Sequence, residues 1–153
     1  MNLFMHRALN RLHRGVLALS RGRIGWKLGS MPVVELHTSG RATGERRSVM
    51  LTAPLHDGDR YVLVASRGGY PRHPQWYLNL VEDPDVEMTV RGWTIPMRAH
   101  TATAQERADL WPSIVAAYPG YARCQQKTTR EIPVVNCEPR MREGDDSDGG
   151  HSP

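Results

Sequence analysis

The chain has 153 residues, 39% of them hydrophobic, with a formal net charge of +4. That supplies apolar material for one modest core, so a single domain is expected, and the basic excess points to an anionic partner: nucleic acid, anionic lipid, or a phosphorylated or carboxylated small molecule. Two cysteines exclude a disulfide scaffold, the seven histidines have no zinc-binding spacing, and no apolar run reaches the roughly 20 residues of a membrane span; a reduced, cytoplasmic protein without a metal is expected.

From Asn2 to Arg21, Met5, Leu9, Leu12 and Val16 recur at helical spacing while Arg7, Arg11, Arg14 and Arg21 fall opposite, which predicts a basic amphipathic helix. Its apolar stripe can pack on the domain or dip into an anionic lipid surface, and both readings stay open. The same arginines interrupt any signal-peptide core. With Gly22, Gly25 and Gly29, this helix and its linker make up residues 1–30.

Short strands are expected over residues 31–140. Val34 and Leu36 share one face, and Val49, Leu51 and Ala53 alternate with Ser48, Met50 and Thr52. "HDGD" at His56 to Asp59 is a turn signal before "YVLVAS", which predicts a hairpin between the strand ending at Ala53 and the one after the turn. After a loop, "RGGYPRHP", Pro74 opens a short helix that Pro84 stops. Val86, Met88 and Val90 form one strand face, and Gly92 turns the chain into "WTIPMRAHTA", where Pro96 predicts an edge or bulged strand. Thr103 and Glu106 form a capping box for a helix that turns Leu110, Trp111, Ile114 and Val115 inward, and Pro112 inside it predicts a kink. "AYPGYARC" breaks that helix, a few helical residues follow, and "IPVVNCEP" is a last strand. The acidic, Gly-rich tail 141–153 is expected to be disordered. About six antiparallel strands joined mostly by hairpins, with small inserted helices, suit a mainly β, α+β closed or nearly closed barrel.

Three stretches can carry chemistry. "TSGRATGERR" combines close-approach glycines, the hydroxyls of Thr38, Ser39 and Thr43, and the forks of Arg41 and Arg47; an anion clamp and a solvated turn both account for it. It lacks the lysine and hydroxyl residue that would end a Walker loop. "VASRGGYPRHPQWYLNL" sets Ser66, Arg67 and two glycines beside Trp76, Tyr77 and Asn79, which suits a planar ligand, although Trp76 reads equally as core. "AAYPGYARC" places Tyr118 and Tyr121 on either side of a Pro-Gly corner. Nothing specifies a base to activate Cys124, and there is neither an aromatic stacking array nor a helix-turn-helix pattern for nucleic acid.

In order and spacing, "LHTSGRATGERR", "DGDRYVLVASRGGYPRHPQWYLNL", "ERADLWPSIVAAYPGY" and "REIPVVNCEP" resemble the deazaflavin-dependent nitroreductase and quinone reductase family of actinobacteria, a branch of the split β-barrel flavin-binding proteins. The resemblance implies a split β-barrel that binds reduced coenzyme F420, a deazaflavin with a phosphate and an oligoglutamate tail. It implies that Arg41, Thr43, Arg47, Ser48 and Val49 hold the tail, and that Val64, Ala65, Ser66, Arg67, Gln75, Trp76, Tyr77 and Asn79 line the ring system. Ser66 would lie near the hydride site, with Tyr118 and Tyr121 lining the acceptor pocket. The implied acceptors are quinones and nitroaromatic compounds, and the implied assembly is a monomer or homodimer. FMN is the alternative cofactor; a carrier without turnover, or a basic module for membrane or nucleic acid, is the alternative outside catalysis. Ala42 and Arg67 stand where lysines are common in the family, and Cys124 where some members carry a third tyrosine.

Overall fold

The alternation in "VVELHTS" produces β1 (Val33–Ser39), in which Val34 and Leu36 are fully buried on one face and Val33 lies exposed on the other. This structure, a computed structural model, describes residues 31–141; the expected N-terminal helix and all but the first residue of the expected acidic tail lie outside the described residues. β2 (Arg46–Thr52) pairs with β1 from Val33↔Thr52 to Ser39↔Arg46, so the arginine-rich stretch is the turn of this hairpin. Within it Gly40 N–H donates to Glu45 O (2.7 Å), Gly44 N–H donates to Gly40 O (2.6 Å), and Gly44 adopts a left-handed φ of 71°.

The hairpin expected between the strand ending at Ala53 and "YVLVAS" forms differently. Pro54 cannot donate to a ladder, the chain breaks there, and a separate short strand β3 (Leu55–Asp57) pairs with β4 (Arg60–Val64) around Gly58. After Pro74 comes α1 (Gln75–Glu82), then β5 (Asp85–Val90), β6 (Trp93–Thr101), α2 (Ala104–Ala117), α3 (Gly120–Gln126) and β7 (Val134–Pro139). There are thus seven strands among the described residues rather than about six, all antiparallel, in the order β2-β1-β5-β6-β7-β4-β3. β2 and β3 do not pair with each other, so the sheet is a curled half-barrel with two open edges.

Pro96 lies in the middle strand of this sheet, not on an edge. A residue in a ladder points its N–H and C=O the same way, and Pro96 O accepts from Arg140 N–H (2.9 Å) just past the end of β7. The missing N–H therefore falls where the β6–β7 ladder has already ended, and costs no strand pairing.

Alternation along β4 separates two cores. Tyr61, Leu63 and Ala65 join Val34, Leu36, Met88, Met97, Trp76 and Leu80 on one face. Val62 and Val64 join Leu110, Ile114, Tyr121 and Ile132 on the other, beneath α2 and α3. Thr103 Oγ1 accepts from Glu106 N–H (3.2 Å), the first half of the capping box; the Glu106 carboxylate is turned to Asn136 (3.3 Å) and His100 (3.6 Å). α2 runs continuously through Pro112, burying Leu110 and Ile114 while Trp111 and Val115 are half-buried. No helix among the described residues is long and apolar enough to cross a membrane.

Candidate active site

The β1–β2 turn and the start of α1 border an open cavity of about 600 Å³. Arg41, Thr43, Arg47, Ser48, Val49, Gln75, Trp76 and Asn79, all expected at a ligand site, border it together with Thr38, Gly40 and Ala42. Asn79 organises this wall. Its Oδ1 accepts from the Arg41 main-chain N–H (3.2 Å) and from Arg41 Nη1 (2.9 Å), while its Nδ2 donates to Thr38 Oγ1 (3.3 Å). Arg41 Nη2 donates to Gln75 Oε1 (2.7 Å), so the guanidinium bridges the turn and the helix. The turn is closely packed at Gly40, where a Cβ would meet Thr43 Oγ1 at 3.1 Å and Glu45 O at 3.3 Å.

Along β2 side chains alternate, and Arg47 and Val49 fall on the face opposite Ser48. The Ser48 hydroxyl is turned to His37 Nδ1 (2.7 Å), and His37 Nε2 continues to Thr89 Oγ1 (2.8 Å). Arg46 is tied to Glu87, leaving Arg41 and Arg47 as the guanidinium groups bordering the cavity. Thr43 Oγ1 accepts from Glu45 N–H (3.2 Å), and Glu45 in turn lies 3.2 Å from Arg47 Nη2. Trp76 is buried in the main core and also borders the cavity.

The other expected residues lie outside that cavity. Val64 packs under the α2 and α3 layer, whereas Ala65 is in the main core, and Tyr77 donates to or accepts from Thr101 Oγ1 (3.0 Å). Ser66 and Arg67 enter a tight turn with Arg67 at φ 43°, Gly68 at 62° and Gly69 at 83°. Tyr118 and Tyr121 meet edge to face with centroids 5.2 Å apart, and a Cβ at Gly120 would run into the Tyr118 ring. Tyr121 is buried and hydrogen-bonds Thr52 Oγ1 (3.2 Å) at the end of β2. Burial pushes its phenol pKa up, opposed by the Thr52 hydrogen bond, so the hydroxyl stays protonated at neutral pH.

Arg130, which sequence reasoning missed, holds the Ser66 turn from the strand side. It donates to the main-chain oxygens of Ala65, Ser66 and Tyr70. Its partners lie 60 to 65 residues away, and no local pattern announces such a contact.

A family model described as F420H(2)-dependent quinone reductase matches residues 9–139. The chain belongs to that family. An F420H(2)-dependent quinone reductase of Mycobacterium tuberculosis is 40% identical over 134 residues, covering 83% of this chain and 87% of the relative. A solved F420-H2 dependent reductase, FDR-A, is 38% identical with a TM-score of 0.63, covering 70% of this chain and 94% of its own. A second solved structure, described as a domain-swapped dimer, is 34% identical with a TM-score of 0.63, covering 80% of this chain and 96% of its own. This F420H(2)-dependent quinone reductase family is an oxidoreductase family, and the two solved structures share the fold of this chain.

Proposed function

We propose that this protein is an oxidoreductase that uses reduced coenzyme F420 to reduce a quinone, with nitroaromatic compounds as further acceptors. The observation that carries the reading is the cavity between the arginine turn and α1, in a chain of the F420H(2)-dependent quinone reductase family. The residues present fit such a cofactor. Arg41 and Arg47 offer forks that match phosphate or carboxylate oxygens in pairs, and the glycine at position 40 keeps the turn closed against Thr43 and Arg47. Trp76 offers an apolar wall.

When bound, reduced F420 supplies a hydride, so a quinone acceptor needs one further proton to become a quinol. The residues around the Pro119-Gly120 corner suit that second need. Tyr121 is held protonated by burial, with Thr52 fixing its hydroxyl, and can donate a hydrogen bond to a quinone oxygen. Tyr118, 45% exposed and packed against it, can exchange its proton with solvent. Ser66 provides a hydroxyl at the turn following β4.

Assembly as a homodimer is part of this proposal, supported by the domain-swapped relative and testable by sedimentation. Peripheral membrane contact through the basic stripe of residues 2–21 is likewise proposed, and flotation with anionic vesicles tests it.

The deciding experiment follows oxidation of reduced F420 by a menaquinone analogue and by a nitroimidazole, with FMN titrated in parallel. Turnover with the quinone and tight deazaflavin binding are expected. Tight FMN binding without deazaflavin binding, or cofactor binding with no acceptor reduced, rejects the proposal.

A further inference from the structure

Arg130 lies between α3 and β7, and its planar fork is shared among four acceptors on the segment that follows β4. Nε donates to Tyr70 O (2.7 Å), Nη2 to Ser66 O (2.9 Å) and Nη1 to Ala65 O (3.2 Å). Nη1 also lies 3.0 Å from His73 Nδ1; a guanidinium only donates, so Nδ1 accepts and His73 is held as the neutral tautomer with its proton on Nε2. Burial and the nearby Arg67 charge both pull the Arg130 pKa down, and the carbonyl dipoles offset that cost. Among the described residues no carboxylate pairs with Arg130.

The segment it grips has reason to need a grip. Arg67, Gly68 and Gly69 are three consecutive residues in the left-handed region, and the turn is closed by Gly69 N–H to Ser66 O (2.9 Å) and Tyr70 N–H to Arg67 O (3.0 Å). Arg67 is folded back over the Tyr70 ring, 4.4 Å from its centroid. Arg130 is itself anchored: its carbonyl accepts from Gln125 Nε2 (2.8 Å), and Gln125 Oε1 accepts from Ile132 N–H and Arg107 Nη2, both at 2.9 Å. One side chain therefore couples α3 and the approach to β7 to the turn that carries Ser66.

We propose that Arg130 is a positioning residue for the reduction: by fixing the Ala65–His73 turn it sets where Ser66 stands relative to the bound ring and acceptor. The inference rests on the deazaflavin reading above. Lysine cannot substitute, because a point charge on a flexible stem cannot serve four divergent acceptors.

The test compares full-length wild type with Arg130→Lys and His73→Phe. The second removes the imidazole nitrogens, the Nδ1 acceptor of Arg130 among them, and keeps a ring against Tyr77. Three quantities are read: hydrogen exchange at the Gly69 and Tyr70 amides, the dissociation constant for oxidised F420, and kcat with a quinone at saturation. In Arg130→Lys the two amides should exchange about tenfold faster and kcat fall about tenfold, with F420 affinity changed less than about threefold because the arginine turn is untouched. His73→Phe should move exchange and kcat the same way by less.

Unchanged exchange, or an affinity loss as large as the kcat loss, overturns the proposal. Should Arg130→Lys fail to fold, His73→Phe decides on the same readings. Wild type that binds F420 and reduces nothing overturns the proposed function; the exchange rates then still judge the grip on the turn.

Discussion

Arg41 presents both its main-chain N–H and its guanidinium to one atom, Asn79 Oδ1, at 3.2 and 2.9 Å. The amide that receives them is 5% exposed and is anchored on its other side to Thr38. Among the described residues no carboxylate pairs with Arg41, which borders the cavity. Asn79→Leu should strand these partners and cost about 1–3 kcal/mol of stability in a urea titration. F420 affinity should weaken about tenfold as Arg41 loses its orientation, equivalent to about 1.4 kcal/mol. Unaltered affinity would show that Arg41 needs no such support.

Glu45 lies 3.2 Å from Arg47, so on the proposed reading it would compete with the anionic cofactor for that guanidinium. Both side chains are more than half exposed, so the pair itself adds little stability. Glu45→Gln should therefore leave the melting temperature unchanged while tightening F420 binding about two- to fivefold at low salt. The gain should fade as added salt approaches about 1 M. Weaker binding in this variant would contradict an anion clamp at this turn.

Two histidines make stability fall on acidification. Burial, then Arg130, lowers the His73 pKa; burial, then Arg91, lowers that of His56, with Asp57 opposing. The unfolded chain takes up these protons near about 6.5, before the folded state does, so their contribution is complete above that pH and is lost as pH falls through the folded values. The melting temperature should drop between about pH 7 and pH 5, less steeply in His73→Phe. A slope indistinguishable from wild type would remove His73 from the account.

Adjacent glycines should respond differently to alanine. Gly68 and Gly69 both have positive φ, but a Cβ at Gly68 meets nothing within 4 Å, whereas one at Gly69 would lie 2.6 Å from Cys124 O and 2.8 Å from Lys127 Cβ. Gly68→Ala should cost about 1–2 kcal/mol from conformation alone. Gly69→Ala should exceed about 3 kcal/mol in the same denaturation assay, since α3 must shift away. Equal costs would mean the turn moves freely against α3.

The two thiols should also separate. Burial pushes Cys137 up to about 12, so it is neither exposed nor ionised, while Cys124 is half-buried. A thiol reagent at about pH 8 should titrate Cys124 alone in native protein and both thiols in denaturant. Rapid native labelling of Cys137 would indicate opening of the main core.

What was legible in the sequence was local. Pro74 and Pro84 bracket α1, the period of two in β1 fixed its buried face, and the composition of the arginine turn singled out residues that border the cavity. What stayed hidden depended on pairing. Pro96 alone reads as an edge residue, and only the end of β7 beside it makes a central place tolerable. β3 is three residues long, too short to show alternation, and it emerges because Pro54 interrupts the chain. Arg130 looks like any surface arginine until β4 and β7 come together and bring it to the Ser66 turn.

β2 runs from the arginine turn towards the α2 and α3 layer: Arg47 stands near its start, and Thr52, at its end and on the opposite face, holds the buried Tyr121 hydroxyl. An extended strand advances about 3.3 Å per residue, so these positions are separated by about 17 Å of nearly inextensible backbone. One residue added within the strand would exchange its two faces, so that either Arg47 leaves the cavity or Thr52 leaves the Tyr121 hydroxyl, and the arginine turn and the helical layer could no longer both be served by one strand.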